Sequence, residues 1–191
     1  MKAEFLRYLV VFCCFFSSWL QAQSLTRFVQ PLSGTAASTT ISAKKHSEAG
    51  SKESNANTIP AVGVPFGMTQ WVAQTRTTEV KCQPPYYYKD SLLSGFRGTH
   101  WISGSCTQDY GSVTIVPVTG SLRTTVKEYS IPFTHAAETT GPSYYKLELP
   151  AAGLIAELTG TARCGVLKFT MTRDDSLYLL IIPNSDFGKG A

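Results

Sequence analysis

The 191-residue chain has little charge, 16% of its residues, and little that would mark a common catalyst. Lys and Arg are scattered singly, with no run longer than Lys44-Lys45, so the net charge of +4 and the pI near 8.8 form no basic stripe for nucleic acid. There is no CxxC pair, and His46, His100 and His135 have no ligand spacing to one another, which argues against zinc. No G-x-S-x-G, H-E-x-x-H, P-loop or EF-hand loop occurs, and the 13 Asp and Glu residues are mostly isolated. Heptads and collagen-like repeats are missing, which excludes fibrous classes, and 43% hydrophobic residues exclude wholesale disorder. No stretch of ten or more residues has a helical period. The length suits one domain with a real core.

What is present begins with an export signal. Lys2 and Arg7 precede the apolar run LVVFCCFF (9–16), and SSWLQAQ closes it with the small residue Ala22. That order predicts a signal peptide over 1–22, cleaved near Ala22, with residues 23–191 as the exported domain, secreted or periplasmic. The apolar run falls well short of the roughly 20 residues that span a bilayer, so no membrane association is expected after cleavage. Export leaves Cys82, Cys106 and Cys164. An oxidising compartment suits one disulfide, with Cys82 and Cys106 as the candidate pair, and three unpaired thiols are the alternative; Cys164, in a strand-like run, reads as a small buried hydrophobe.

Residues 36–57 are rich in Ala, Ser, Thr, Lys and Asn and are expected to form a long exposed loop. Around that stretch, Gly and Pro punctuate short apolar segments that read as strand ends and turns. The strand signal is clearest later. In YKLEL (145–149) Tyr145, Leu147 and Leu149 share one face and Lys146 and Glu148 the other. LIAELTGT (154–161) and VLKFTMT (166–172) alternate likewise, and SLYLLIIP (176–183) is apolar enough for burial on both faces. Close spacing of these runs makes a meander, and the fold class is all-β, an antiparallel sandwich. Glu128, Glu138, Glu148 and Glu157 read as solvated strand faces and Asp174-Asp175 as a turn, so no catalytic residue is assigned.

The segment SGFRGTHWISGSCTQDYG (94–111), preceded by PPYYYKD (84–90), gathers rings, hydroxyls and glycines. Exposed, these suit a sugar, whose apolar face stacks on a ring while its hydroxyls need polar partners; buried, they are core and turns.

Six motifs then occur in order: QPLSGT (30–35), NTIP with VPFGM (57–68), GFRGTHWISG with DYG (95–111), PFTH (132–135), PSYY (142–145) and AELT (156–159). Together they resemble the N-terminal domain of glycoside hydrolase family 92, over about residues 26–191. QPLSGT stands where the family usually has NPFIGT, and RGTH (97–100) where it has SHTH. The resemblance implies a secreted, calcium-dependent, inverting exo-α-mannosidase whose N-terminal β-sandwich packs on a larger α-helical domain. That domain, absent from this chain, would carry the general acid, the general base and most calcium ligands. The partners implied are mannose-containing glycans and the missing catalytic domain. Loops of the sandwich would close one side of the sugar pocket, which points to Gly34, Thr35, Thr99, His100, Trp101, Ser105 and Cys106 as substrate-binding residues, with Trp101 stacking and His100 bonding a hydroxyl. Arg97 and Asp109 would pin the loop or touch substrate. Other readings are a stand-alone carbohydrate-binding module and a truncated relic without function.

Overall fold

The computed structural model of the chain describes residues 25–41, 56–76, 83–102, 111 and 113–183. The signal peptide, most of the 36–57 segment, Ser105, Asp109 and the Cys82–Cys106 pair lie outside the described residues.

Ten strands build the described part: β1 (Gln70–Gln74), β2 (Leu92–Leu93), β3 (Gly95–Thr99), β4 (Val113–Thr119), β5 (Ile131–Pro132), β6 (Glu138–Thr140), β7 (Tyr145–Leu149), β8 (Leu154–Gly160), β9 (Gly165–Met171) and β10 (Leu177–Pro183). One four-residue helix, α1 (Val126–Tyr129), and three short 3-10 turns accompany the strands. The strands form two four-stranded sheets, in the orders β1-β3-β4-β10 and β6-β7-β8-β9, and a short β2-β5 ribbon. Every pairing is antiparallel, as expected of a meander.

Period-2 patterning fixes the second sheet. Tyr145, Leu147 and Leu149 lie opposite Leu158, Ala156 and Leu154, and all six are buried. Leu167, Phe169 and Met171 continue that row on β9. A slip of one residue would turn the whole row to solvent, so the apolar pattern specifies the register. The outer face carries Lys146 with Glu148, 2.6 Å apart, and Lys168 with Glu157, 2.8 Å apart. Val62, Val72, Ala73, Phe96 and Tyr86 complete the core from the other sheet and its flanking loops. The ring of Trp71 crosses β9 where Gly165 leaves room; any Cβ there would fall inside the indole.

Three expectations fail, each for a physical reason. Among the described residues β10 pairs only with β4, at the end of its sheet, and the core covers only one of its two faces. Leu180 and Ile182 pack on Val116, Val118 and Tyr129, while Leu179 and Ile181 remain 51% and 71% exposed. Cys164 is exposed, because it sits in the 161–164 turn that reverses the chain between β8 and β9, closed by the Thr161 N–H on the Cys164 carbonyl at 2.8 Å. Glu138, read as a solvated residue, is fully covered at its carboxylate. Asn57, the last residue of the predicted 36–57 loop, is also buried.

Candidate functional site

Of the predicted site residues, Gly34, Thr35, Thr99, His100 and Trp101 are described, and they meet at one corner. Residues 30–35 turn tightly, with the Ser33 N–H on the Gln30 carbonyl (3.0 Å) and Thr35 donating to Leu32 through both its N–H (3.2 Å) and its hydroxyl (2.8 Å). Gly34 has φ +82°, and a Cβ there would sit 2.7 Å from Thr58 Oγ1, so glycine suits both the backbone and the space. Thr58 in turn donates its hydroxyl to the Ser33 carbonyl at 2.5 Å. Its neighbour Asn57, buried at φ +51°, accepts a 2.7 Å bond from Trp101 Nε1 on its carbonyl.

Segment 56–58 therefore joins the Gly34-Thr35 turn to the Thr99-His100-Trp101 corner at the end of β3. Thr99 is buried, and its hydroxyl accepts the Trp101 N–H at 2.9 Å. Trp101 is 5% exposed with its indole N–H already committed. Its ring is thus a wall of this corner, the placement that the core alternative describes. His100 is exposed and Ile102 is 72% exposed, so solvent reaches the corner beside Trp101. Ser105 and Cys106 lie outside the described residues. Arg97 is buried at mid-strand in β3.

The turn leads directly into a polar cluster that the residue pattern did not disclose. The Thr35 carbonyl accepts the Tyr88 N–H at 3.0 Å, and the Tyr88 ring stacks on His135 at 3.9 Å. His135 Nδ1 lies 2.6 Å from Glu138 Oε2. The same carboxylate accepts the Tyr86 hydroxyl at 2.9 Å and the Tyr145 hydroxyl at 2.5 Å. Three donors replace the water that burial removes, which is how a covered carboxylate is kept. Burial and the adjacent Glu138 carboxylate push the Tyr145 hydroxyl well above the usual tyrosine value, and the Tyr86 hydroxyl is raised for the same two reasons. Both phenols therefore stay protonated donors at any physiological pH. Bound in this way, His135 has a fixed ring orientation at the surface, clamped by Tyr88 on one face and by the Phe133 edge at 5.4 Å. Glu138 was missed because β6 has three residues and no period to read; only its place opposite Leu147, a core residue, gives its direction.

Other carboxylates are committed to structure. Asp90 binds the Thr75 hydroxyl at 2.8 Å and Arg76 Nε at 3.0 Å, and Glu157 binds Tyr144 and Lys168. Among the described residues no group of three His, Cys, Asp or Glu side chains is placed to hold a metal ion.

Residues 28–190 match the glycosyl hydrolase family 92 N-terminal domain. The chain belongs to glycoside hydrolase family 92. Its backbone is similar to that of a family 92 inverting mannosidase from Bacteroides thetaiotaomicron, at 30% identity and TM-score 0.67, over 84% of this chain and 20% of that one. A second family 92 α-mannosidase of that organism is 28% identical with TM-score 0.68, over 83% of this chain and 20% of the other. The chain thus spans about one fifth of the length of these relatives, and the stretch it shares with them is the family 92 N-terminal domain. No curated protein matches the chain.

Proposed function

We propose that this chain is the N-terminal, carbohydrate-facing portion of a secreted exo-α-mannosidase that removes mannose from glycans by inversion with the help of calcium, and that it does not hydrolyse mannosides alone. The observation that carries this reading is the match over 28–190 together with a coverage of only 20% of the mannosidase relatives. Inverting hydrolysis needs an acid and a base carboxyl about 6.5–9.5 Å apart across the sugar. The carboxylates described above serve strand faces or the buried Tyr-His cluster instead, and their donor set does not fit a calcium cage. Both sets of groups are therefore assigned to the polypeptide that follows in longer relatives. The exposed Leu179 and Ile181 on β10 support a covering partner, since an apolar edge strand is costly to leave in water.

In this reading the Gly34-Thr35 turn and the Thr99–Cys106 loop close one side of the sugar pocket. His100 reaches for a hydroxyl, with Thr99, Trp101, Ser105 and Cys106 shaping the wall. Titrating the chain with mannose and α-mannobiose, followed by calorimetry, tests its part alone. No saturable binding, with dye uptake at the β10 face, is the expected result for a domain that completes a pocket built elsewhere. Saturable binding by the isolated chain would replace this reading with that of a self-sufficient carbohydrate-binding module.

A further inference from the structure

At the other end of β4 from the Trp101 corner the two sheets part. Gly98 pairs with Val113 at one end of that strand and Thr119 closes the other, a separation of about 20 Å at about 3.3 Å per residue. The gap is a cleft of about 330 Å³ whose polar lining comes from Ser121, Arg123, Ser130, Arg173 and Asp175. Neither sandwich packing nor the proposed sugar corner uses it.

Its two arginines are placed rather than loose. Arg123 Nη2 donates to the Thr119 carbonyl at 3.1 Å, while its Nε is covered and has no partner among the described residues. A buried N–H left in that state is expensive, so a chain keeps one where an oxygen from outside completes it or where something else forces it. Arg173 crosses Gly153, where a Cβ would fall 2.7 Å from its Cγ and Cδ, so the absence of a side chain at Gly153 sets the path of the arginine. Its Nε meets Asp175 Oδ2 at 3.5 Å, a long contact that leaves the rest of the guanidinium unspent. Asp175 also accepts the Ser176 N–H at 2.8 Å. The Ser130 hydroxyl donates to the Val126 carbonyl at 2.6 Å. Two guanidinium groups against one carboxylate leave the cleft with one net positive charge. No aromatic ring lines it, so a sugar face has nothing to stack on.

We propose that this cleft binds a small oxyanion, a carboxylate or a phosphate or sulfate group, between Arg123 and Arg173. A planar guanidinium matches the oxygens of such groups two at a time, and a small turn of Arg123 brings Nε to one of them. The Ser121 hydroxyl, exposed at the mouth, is a further donor.

The test is a titration of the ¹⁵N-labelled chain with sodium phosphate, sodium sulfate and sodium glucuronate in turn, at ionic strength held constant with sodium chloride. With at least one of these anions, the side-chain Nε–H signals of Arg123 and Arg173 and the amides of Gly120 and Ser121 should shift saturably. Saturation by phosphate or sulfate alone identifies a tetrahedral anion, and saturation by glucuronate alone an acidic sugar. Arg173→Met should weaken binding about tenfold or more with the remaining spectrum unchanged, and Arg123→Met should abolish it. Because Arg123 also holds Thr119, the half-exposed Arg173 position keeps the test readable if the Arg123 variant unfolds. Shifts that grow linearly with all three anions, or an affinity unchanged in Arg173→Met, would overturn the proposal.

Discussion

Replacing Glu138 with alanine removes the acceptor that serves the Tyr86 hydroxyl, the Tyr145 hydroxyl and His135 Nδ1. His135 has 24% of its side chain exposed and can turn to water, but the Tyr145 hydroxyl has no such outlet in a residue that is 1% exposed, and Tyr86 is 0% exposed. The Tyr145 hydroxyl is then orphaned and the Tyr86 hydroxyl keeps only a 3.3 Å contact with His135 Nδ1, so at about 1–3 kcal/mol for a fully orphaned hydroxyl the loss is about 2–5 kcal/mol. For a domain of this size, where 1 kcal/mol moves Tm by about 2–4 °C, the melting temperature should fall by about 5–20 °C. Glu138→Gln keeps the shape but places an amide N–H₂ against one of the donors, so it should fall between the two. Circular dichroism melts give the comparison, and a cycle with Tyr145→Phe isolates the pair: the phenylalanine substitution should cost less in the Glu138→Ala background than in the native chain. A Tm for Glu138→Ala within about 2 °C of the native value would refute the claim that this carboxylate organises the seam.

Three other consequences follow from the same coordinates. Tyr145 and Tyr86 have hydroxyls raised above the usual value of 10.0, so the unfolded chain releases their protons first; stability is full below pH 10 and is lost as pH rises beyond it. Urea midpoints measured from pH 9 to 11.5 should show this decline, and a Tyr86→Phe/Tyr145→Phe variant should show a shallower one. Trp101→Phe leaves the Asn57 carbonyl without its indole donor and should lower stability by about 1–2 kcal/mol in urea melts, with the loss confined to the 33–35 and 56–58 segments in hydrogen exchange. Ile181→Lys, at a position 71% exposed on the β10 edge, should reduce dye binding and self-association in light scattering without lowering Tm.

The parts of the fold that were legible are those where side-chain alternation is long enough to carry a period. β7, β8 and β9 each have five to seven residues, and their inward rows, buried on β7 and β8 and half-buried on β9, fall on the apolar positions. β10 has the strongest apolar run and misled for that reason, since hydrophobicity alone cannot say whether a strand is central or at an edge. Cys164 misled because the turn that holds it is set by the hairpin pairing of Gly160 with Gly165, and apolar neighbours within β9 say nothing about that. At the candidate site the Gly34 turn, Thr99 and Trp101, which belong to separate motifs, converge through Asn57 and Thr58. The roles depended on contacts between residues 44 apart, Asn57 and Trp101, and no local pattern encodes such a contact. The Glu138 cluster was invisible for the same reason, since its four members come from three segments far apart in the chain, and the period of β7 shows that Tyr145 faces inward but not what its hydroxyl meets.

The chain shares the N-terminal domain of the mannosidases it resembles, and the central proposal is that it does not hydrolyse mannosides by itself. The most direct measurement is release of p-nitrophenol from p-nitrophenyl α-mannoside by the purified chain in excess calcium chloride, followed at increasing protein concentration. The account predicts a rate equal to that of buffer at every concentration. Release that rises in proportion to the chain, and is removed by chelation of calcium, would contradict it.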